Sequence, residues 1–217
     1  MTHLVAFASL LLSALPTQAE PIDLSAEEFK MYQHFKNASE DPRVQAMKPE
    51  SRQAAIAKDA GFKLKDMQKA IERGEAAGDV KVKCEANIKG ALVAGDLKDR
   101  VGKVMVDTSE PHAVAYVQWL NENPLVLSQE ASYAAAVTEA SCPIISTIQV
   151  WAQDKARPQV RVFQALISGS AAAKIKPEKA KDFAETRYIR LFEKVKSVVA
   201  GDDLSQESGN PTGKSTK

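Results

Sequence analysis

An uncharged apolar run near the start, Leu4 to Leu15 (LVAFASLLLSAL), most limits what this chain can fold into, because it sets the compartment in which the remainder folds. Pro16 follows, then Thr17-Gln18-Ala19, a small-x-small pattern before Glu20. This is the h-region and cleavage site of a secretory signal, although the n-region Met1-Thr2-His3 has no Lys or Arg. Residues 1–19 are therefore expected to be a signal peptide, with the mature chain beginning near Glu20. The run is too short to cross a bilayer, which takes about 20 apolar residues, and nothing later approaches that length. No cysteine stands near the cleavage point to carry a lipid. The expectation is an exported soluble protein, periplasmic or extracellular, with no membrane span and no lipid anchor.

Export gives the two cysteines a meaning. In an oxidising compartment an even count points to pairing, so Cys84 and Cys142 are expected to form a disulfide. Cys84 lies on a helical stretch and Cys142 ends a later one, so the bond would tie the N-terminal part to the rest. A reactive or metal-binding thiol pair would want a C-x-x-C spacing or a nearby histidine, and the sequence has neither.

The start of the first helix is written in Ser25 and Glu28, a capping box flanked by Leu24 and Phe29 at the staple positions. Phe29, Tyr32 and Phe35 then recur at helical spacing. Asp41-Pro42 and Pro49 open further helices, and Gly61 with Phe62 reads as a helix stop with a fold-back residue. Met67, Ile71, Gly74 and Gly78 form one stripe and Cys84, Ile88, Ala91 and Leu92 another, giving two helices broken near Gly78-Asp79 and ending at Gly95.

Beyond Gly95 the texture changes. Val101 to Asp107 and Ala113 to Leu120 are rich in β-branched and aromatic residues, with turn chemistry from Thr108 to His112 between them, and predict a hairpin. A rival helix could start at Pro111 under a Ser109 cap, since Ala113, Val117 and Leu120 also match helical spacing. Asn123-Pro124 opens a helix to Ser141, and Ile144 to Gln153 with Val160 to Ser168 form a second strand pair. Pro177 opens a last long helix with Phe183, Leu191, Val195 and Val198 inward. From Met105 to Gln153 there is no Lys or Arg, which fits a buried middle. The expected fold is α+β: a helical region over residues 20–95 packed with a four-stranded antiparallel sheet region over 96–200, strand-strand-helix twice. Residues 201–217, with one aliphatic side chain and many turn formers, read as a disordered tail.

Chemistry is sparser. A net charge of +1 gives no field for nucleic acid, and the Lys-rich stretches Lys63 to Lys69 and Lys81 to Lys89 lack the interleaved aromatics that single strands stack on. The mature chain's histidines, His34 and His112, are far apart and without partners at ligand spacing, so no metal and no cofactor is expected. Ser109 and His112, near Asp107 and Glu110, have the residue types of a nucleophile and base, but no strained G-x-S-x-G elbow accompanies them. Gly209 to Ser215 is one residue short of a phosphate-binding loop and contains a proline. Trp119 and Trp151, one on each hairpin, are the candidates for a ligand-binding surface, because tryptophans on open sheet faces take sugars and peptides. The expected function is a non-catalytic binding or interaction protein with a protein, peptide or sugar partner. The alternative is a small hydrolase using the loop around His112.

Overall fold

A computed structural model describes residues 21–180 and 188–197; the expected signal peptide, residues 1–19, and the expected tail, residues 201–217, lie outside them. The capping box is formed. Ser25 Oγ accepts from Glu28 N at 3.2 Å and the Glu28 carboxylate accepts from Ser25 N at 3.1 Å, starting α1 (Ala26–Ser39). Short α2 (Pro42–Gln45) and α3 (Pro49–Asp59) follow, each with proline in its first turn. Gly61, at φ 73°, takes the left-handed conformation that reverses the chain, and Phe62 N donates back to Ala57 O at 2.8 Å. α4 (Leu64–Ala77) then lies along α1. Ile56, Ala57, Met67 and Ile71, with Phe35, Val44 and Phe62 against them, make a small separate core among these helices.

Glu28 joins α1 to α4, standing 3.0 Å from Lys69 and 3.1 Å from Arg73. Burial alone would raise its pKa. The hydrogen bonds from Ser25 and Lys69 and the Arg73 charge outweigh that and bring it down to about 2.

α5 (Val80–Ala94), capped by Asp79, buries Val80, Cys84, Ile88 and Leu92 in the main core alongside the sheet. The sheet has strands β1 (Val101–Asp107), β2 (Ala113–Asn121), β3 (Ile145–Asp154), β4 (Arg161–Ser168) and β5 (Lys194–Ser197), lying in the order β1-β2-β3-β4-β5. Neighbours are antiparallel except β2 and β3, which are parallel. Between those two runs α6 (Leu127–Ser141), the crossover helix that a parallel pair requires. Ala131, Ala134, Ala135 and Ala136 are all buried on it, and side chains this small let the helix sit close on the strands. After β4 come the one-turn helix α7 (Gly169–Ala172) and α8 (Pro177–Ala180), which runs up to the edge of the described residues.

The α+β class and both expected hairpins are present, and residues 113–121 take the strand, not the rival helix from Pro111. Two particulars differ from the expected four-stranded antiparallel sheet. The two hairpins meet through a parallel pair, and a fifth strand is added. β5 occupies part of the stretch expected to be the last long helix; the expected start of that helix is helical as α8, and the residues that follow, 181–187 with Phe183 among them, lie outside the described residues, as does Val198. Lys194-Val195-Lys196-Ser197 alternates with period two, and pairing with β4 overrides the helical spacing of Leu191, Val195 and Val198.

Cys84 and Cys142 are disulfide-bonded with Cα atoms 5.3 Å apart, both fully buried, joining α5 to the end of α6. Among the described residues no helix is long and apolar enough to cross a membrane.

Candidate functional site: the uncovered face of the sheet

Strand alternation gives the sheet two faces. One holds Ala113, Ala115, Val117 and Trp119 of β2, Ile148, Val150 and Ala152 of β3, and Phe163, Ala165 and Ile167 of β4, all buried under the helices. The other holds the intervening residues, which along β2, β3 and β4 are neither fully enclosed nor fully exposed. Across it run three rows fixed by the pairing: Tyr116, Gln149, Leu166 and Lys194; Gln118, Trp151, Gln164 and Lys196; then Leu120, Gln153 and Arg161.

Trp151 stands at the middle of this face. Gln118 and Gln164 flank it across the strands, and Gln149 and Gln153 precede and follow it on its own strand. The Arg161 guanidinium lies 5.6 Å from the indole centroid, a cation-π arrangement, and its Nη1 donates to Gln164 Oε1 at 3.0 Å. Gln118 donates to the Gln153 side chain. A groove of about 220 Å³ beside it is lined by Gln149, Gln164, Ala165, Leu166, Lys194 and Lys196. The face thus combines an aromatic platform, side-chain amides able to donate and accept, and cations toward the β5 edge. Among the described residues no carboxylate stands in these three rows.

Trp119 has a different place. It is 0% exposed, so its ring has no surface to offer a ligand, and it packs against Phe163 with centroids 6.3 Å apart. Ala152 pairs with both residues, and its small side chain lets the rings meet over it. The indole N–H donates to Glu130 Oε2 at 2.7 Å. The same carboxylate accepts from Asn121 Nδ2 at 2.9 Å and is ion-paired to Arg100. This is a satisfied polar node beneath the sheet's end, the kind of partner a buried indole requires. The two tryptophans are not brought together.

Ser109 and His112 are both exposed, in the β1–β2 turn. The Ser109 hydroxyl donates to Asp107 Oδ1 at 2.7 Å and its N–H to the same oxygen at 3.0 Å, an Asx-type turn. These bonds hold the Asp107 carboxyl below its usual range. The acid therefore braces the serine's own turn and does not orient a histidine.

Other cavities lie elsewhere among the described residues. One of about 440 Å³ lies among α1, α2 and α3, lined by His34, Ala38, Val44, Met47 and Ile56, with the charges of Asp41 and Arg43 bound to each other at its rim. Another, of about 230 Å³, lies past the ends of β2 and β3 between Asn121, Glu122, Leu127, Asp154 and Arg157. There Glu122 is paired to Lys155 and Asp154 to Arg157, so the charges serve one another. No group of three or more His, Cys, Asp or Glu among the described residues could hold a metal.

The signal for the Trp151 surface was present in the strand parity. Trp151 is out of phase with Ile148, Val150 and Ala152 and in phase with Gln149 and Gln153, whereas Trp119 shares the phase of Ala113, Ala115 and Val117. In comparison with known proteins, no protein-family model, no curated protein and no solved structure matches the chain.

Proposed function

We propose that this chain is an exported, non-catalytic binding protein that takes its ligand on the uncovered face of the sheet, around Trp151. One observation carries the reading: a half-buried indole ringed by Gln118, Gln149, Gln153 and Gln164, with Arg161 against its ring, on a face whose reverse side is packed core. A sheet face needs apolar side chains only where it meets another layer. Aromatic and amide side chains set in rows match a ligand that offers a flat or extended surface with polar groups along it. The disulfide between Cys84 and Cys142 is in keeping with an oxidising compartment outside the cytoplasm.

The hydrolase alternative has less support, since the Ser109 hydroxyl is committed to Asp107 in an exposed turn. Retention of peptides and glycans on an array, compared between the wild-type protein and Trp151→Ala, tests the reading. Ligands held by the wild type and released by the variant support it. Equal retention by both would move the site elsewhere. Turnover of ester, glycoside or peptide substrates, abolished in His112→Ala, would replace binding with catalysis.

A further inference from the structure

We propose that the cavity among α1, α2 and α3 is a second binding site, one that takes a small primary amine carrying a hydrophobic group. The inference is independent of the sheet face. All the walls of this cavity come from residues 34–60, an unbroken described stretch. It lies at the end of α1 away from the main core, which takes Leu24 and Phe29 from the other end. Its volume of about 440 Å³ is within the range of small-molecule sites. Ala38, Val44, Met47 and Ile56 give it an apolar wall, on which Met47 is still 40% exposed.

The charges then choose the occupant. Asp41, Arg43 and Asp59 line the cavity, two acids against one base. Arg43 is held by Asp41 at 3.0 Å, while Asp59, attracted by Arg43 from farther off, has no hydrogen bond or ion pair among the described residues. Asp59 is also the last residue of α3, and Ala38 belongs to the last turn of α1. Helix C-termini carry the negative end of the helix dipole, so the fold gains nothing there from an anion and a bound cation gains most. Neither Lys36 nor Lys58, the lysines of those two turns, lines the cavity, and Lys36 lies 5.6 Å from the centroid of the Tyr32 ring. His34 completes the polar side. Its ring packs edge-on to Phe62, and its nitrogens have no hydrogen bond among the described residues. A primary ammonium has three donors to share between the Asp59 carboxylate and an imidazole nitrogen. The carrier is a free small molecule and not a protein lysine, because a linear four-carbon stem leaves much of the apolar wall uncovered.

The experiment titrates the full mature protein with phenethylamine, followed by calorimetry. Saturable binding is expected, and phenethyl alcohol, which keeps the ring and loses the charge, should bind about tenfold more weakly or worse. Asp59→Asn should weaken the amine by a similar factor and leave the alcohol unchanged. Its urea midpoint should not fall, because the removed anion opposed the helix dipole. Ala55→Leu, which fills the cavity from α3, should exclude both probes. Equal binding of amine and alcohol would overturn the proposal, as would no saturation by about 10 mM amine, or wild-type affinity in Asp59→Asn. A raised urea midpoint in Ala55→Leu without weaker amine binding would make the cavity a packing void only. Tighter binding of Nα-acetyl-lysine methylamide than of phenethylamine would assign the site to a protein lysine, against the proposal. Loss of amine binding in Trp151→Ala but not in Asp59→Asn would place the amine on the sheet face, sinking this inference and leaving the sheet-face reading standing.

Discussion

Trp119 and Trp151 sit on adjacent parallel strands, share one sheet, and have opposite surroundings. Trp119 is wholly enclosed, its ring on Phe163 and its N–H on Glu130. Trp151 is half-buried among glutamines with Arg161 on its ring. Residue type does not separate them; strand parity does, because one step along a strand exchanges the core for the open face. The same ring on one side of the sheet is a packing element, and on the other a partly exposed surface.

The sharpest way to break this contrast is to truncate the inner ring. Trp119→Ala should cost about 3 to 5 kcal/mol of folding free energy, the range for emptying a buried aromatic site. It also removes one of the donors to the Glu130 carboxylate. Against a total stability of about 5–15 kcal/mol, that is a large fraction, readable as a lowered urea midpoint. A cost below about 1 kcal/mol would show that the ring is not part of a packed core.

Removing the disulfide tests whether the helices over the inner face need a covalent tie. Cys84→Ala/Cys142→Ala opens a loop with a sequence separation of 58. In the chain-entropy description this should lower stability by about 4 kcal/mol, measured by denaturant unfolding of the oxidised wild type and the variant. No change would place the whole burden of joining α5 to α6 on packing.

Gly169 offers a smaller disturbance at the end of the same inner face. A Cβ there would lie 2.1 Å from Ile145 O, a backbone atom that cannot swing aside. Gly169→Ala should therefore cost about 1–3 kcal/mol, as overpacking does, and lower the melting temperature accordingly. An unchanged melting temperature would mean that the close approach of α7 to β3 relaxes freely.

How much of this was legible beforehand follows from the range of each signal. The capping box at Ser25 and Glu28, the Gly61 stop and the two strand pairs are local patterns, and they stand where the sequence puts them. The pairing of Cys84 with Cys142 was readable because two cysteines leave one partner each. The parallel join of β2 to β3 was not, since hairpin signals specify partners within a hairpin and say nothing of which strands lie side by side between hairpins. β5 escaped because its four residues also complete a helical stripe, and only contact with β4 decides between the periods. For the sheet's outer face, residue type alone sets Trp119 and Trp151 side by side as candidates, and only the glutamines in phase with Trp151 distinguish the two.

Acid tests whether the contrast between faces survives loosening of the N-terminal helices. Glu28, with its pKa brought down from 4.5 to about 2, stabilises the folded state fully above pH 4.5. That contribution is lost as the pH falls from there through about 2. Discounted for solvent screening, it is on the order of 1 kcal/mol. The stability difference between wild type and Glu28→Gln should be present at neutral pH and shrink toward acid, while the access of an added quencher to Trp151 and the protection of Trp119 from it should not change. A difference that does not vary with pH would mean that the Lys69 and Arg73 contacts contribute nothing through charge.

The smallest effect on stability belongs to the outer ring. Trp151→Ala removes a half-buried side chain from a face with no layer packed over its middle among the described residues, so there is little enclosed cavity to create. What is lost is the contact with Arg161 and part of the shielding over the strands, together about 1 kcal/mol or less. The urea midpoint should scarcely move, and the difference from Trp119→Ala should be several-fold in free energy. A loss rivalling that of Trp119→Ala would mean that Trp151 is part of the core's support, and the open face would lose its standing as a binding surface. A near-silent stability change together with released ligand would place the ring's purpose outside the folded chain, in what it touches.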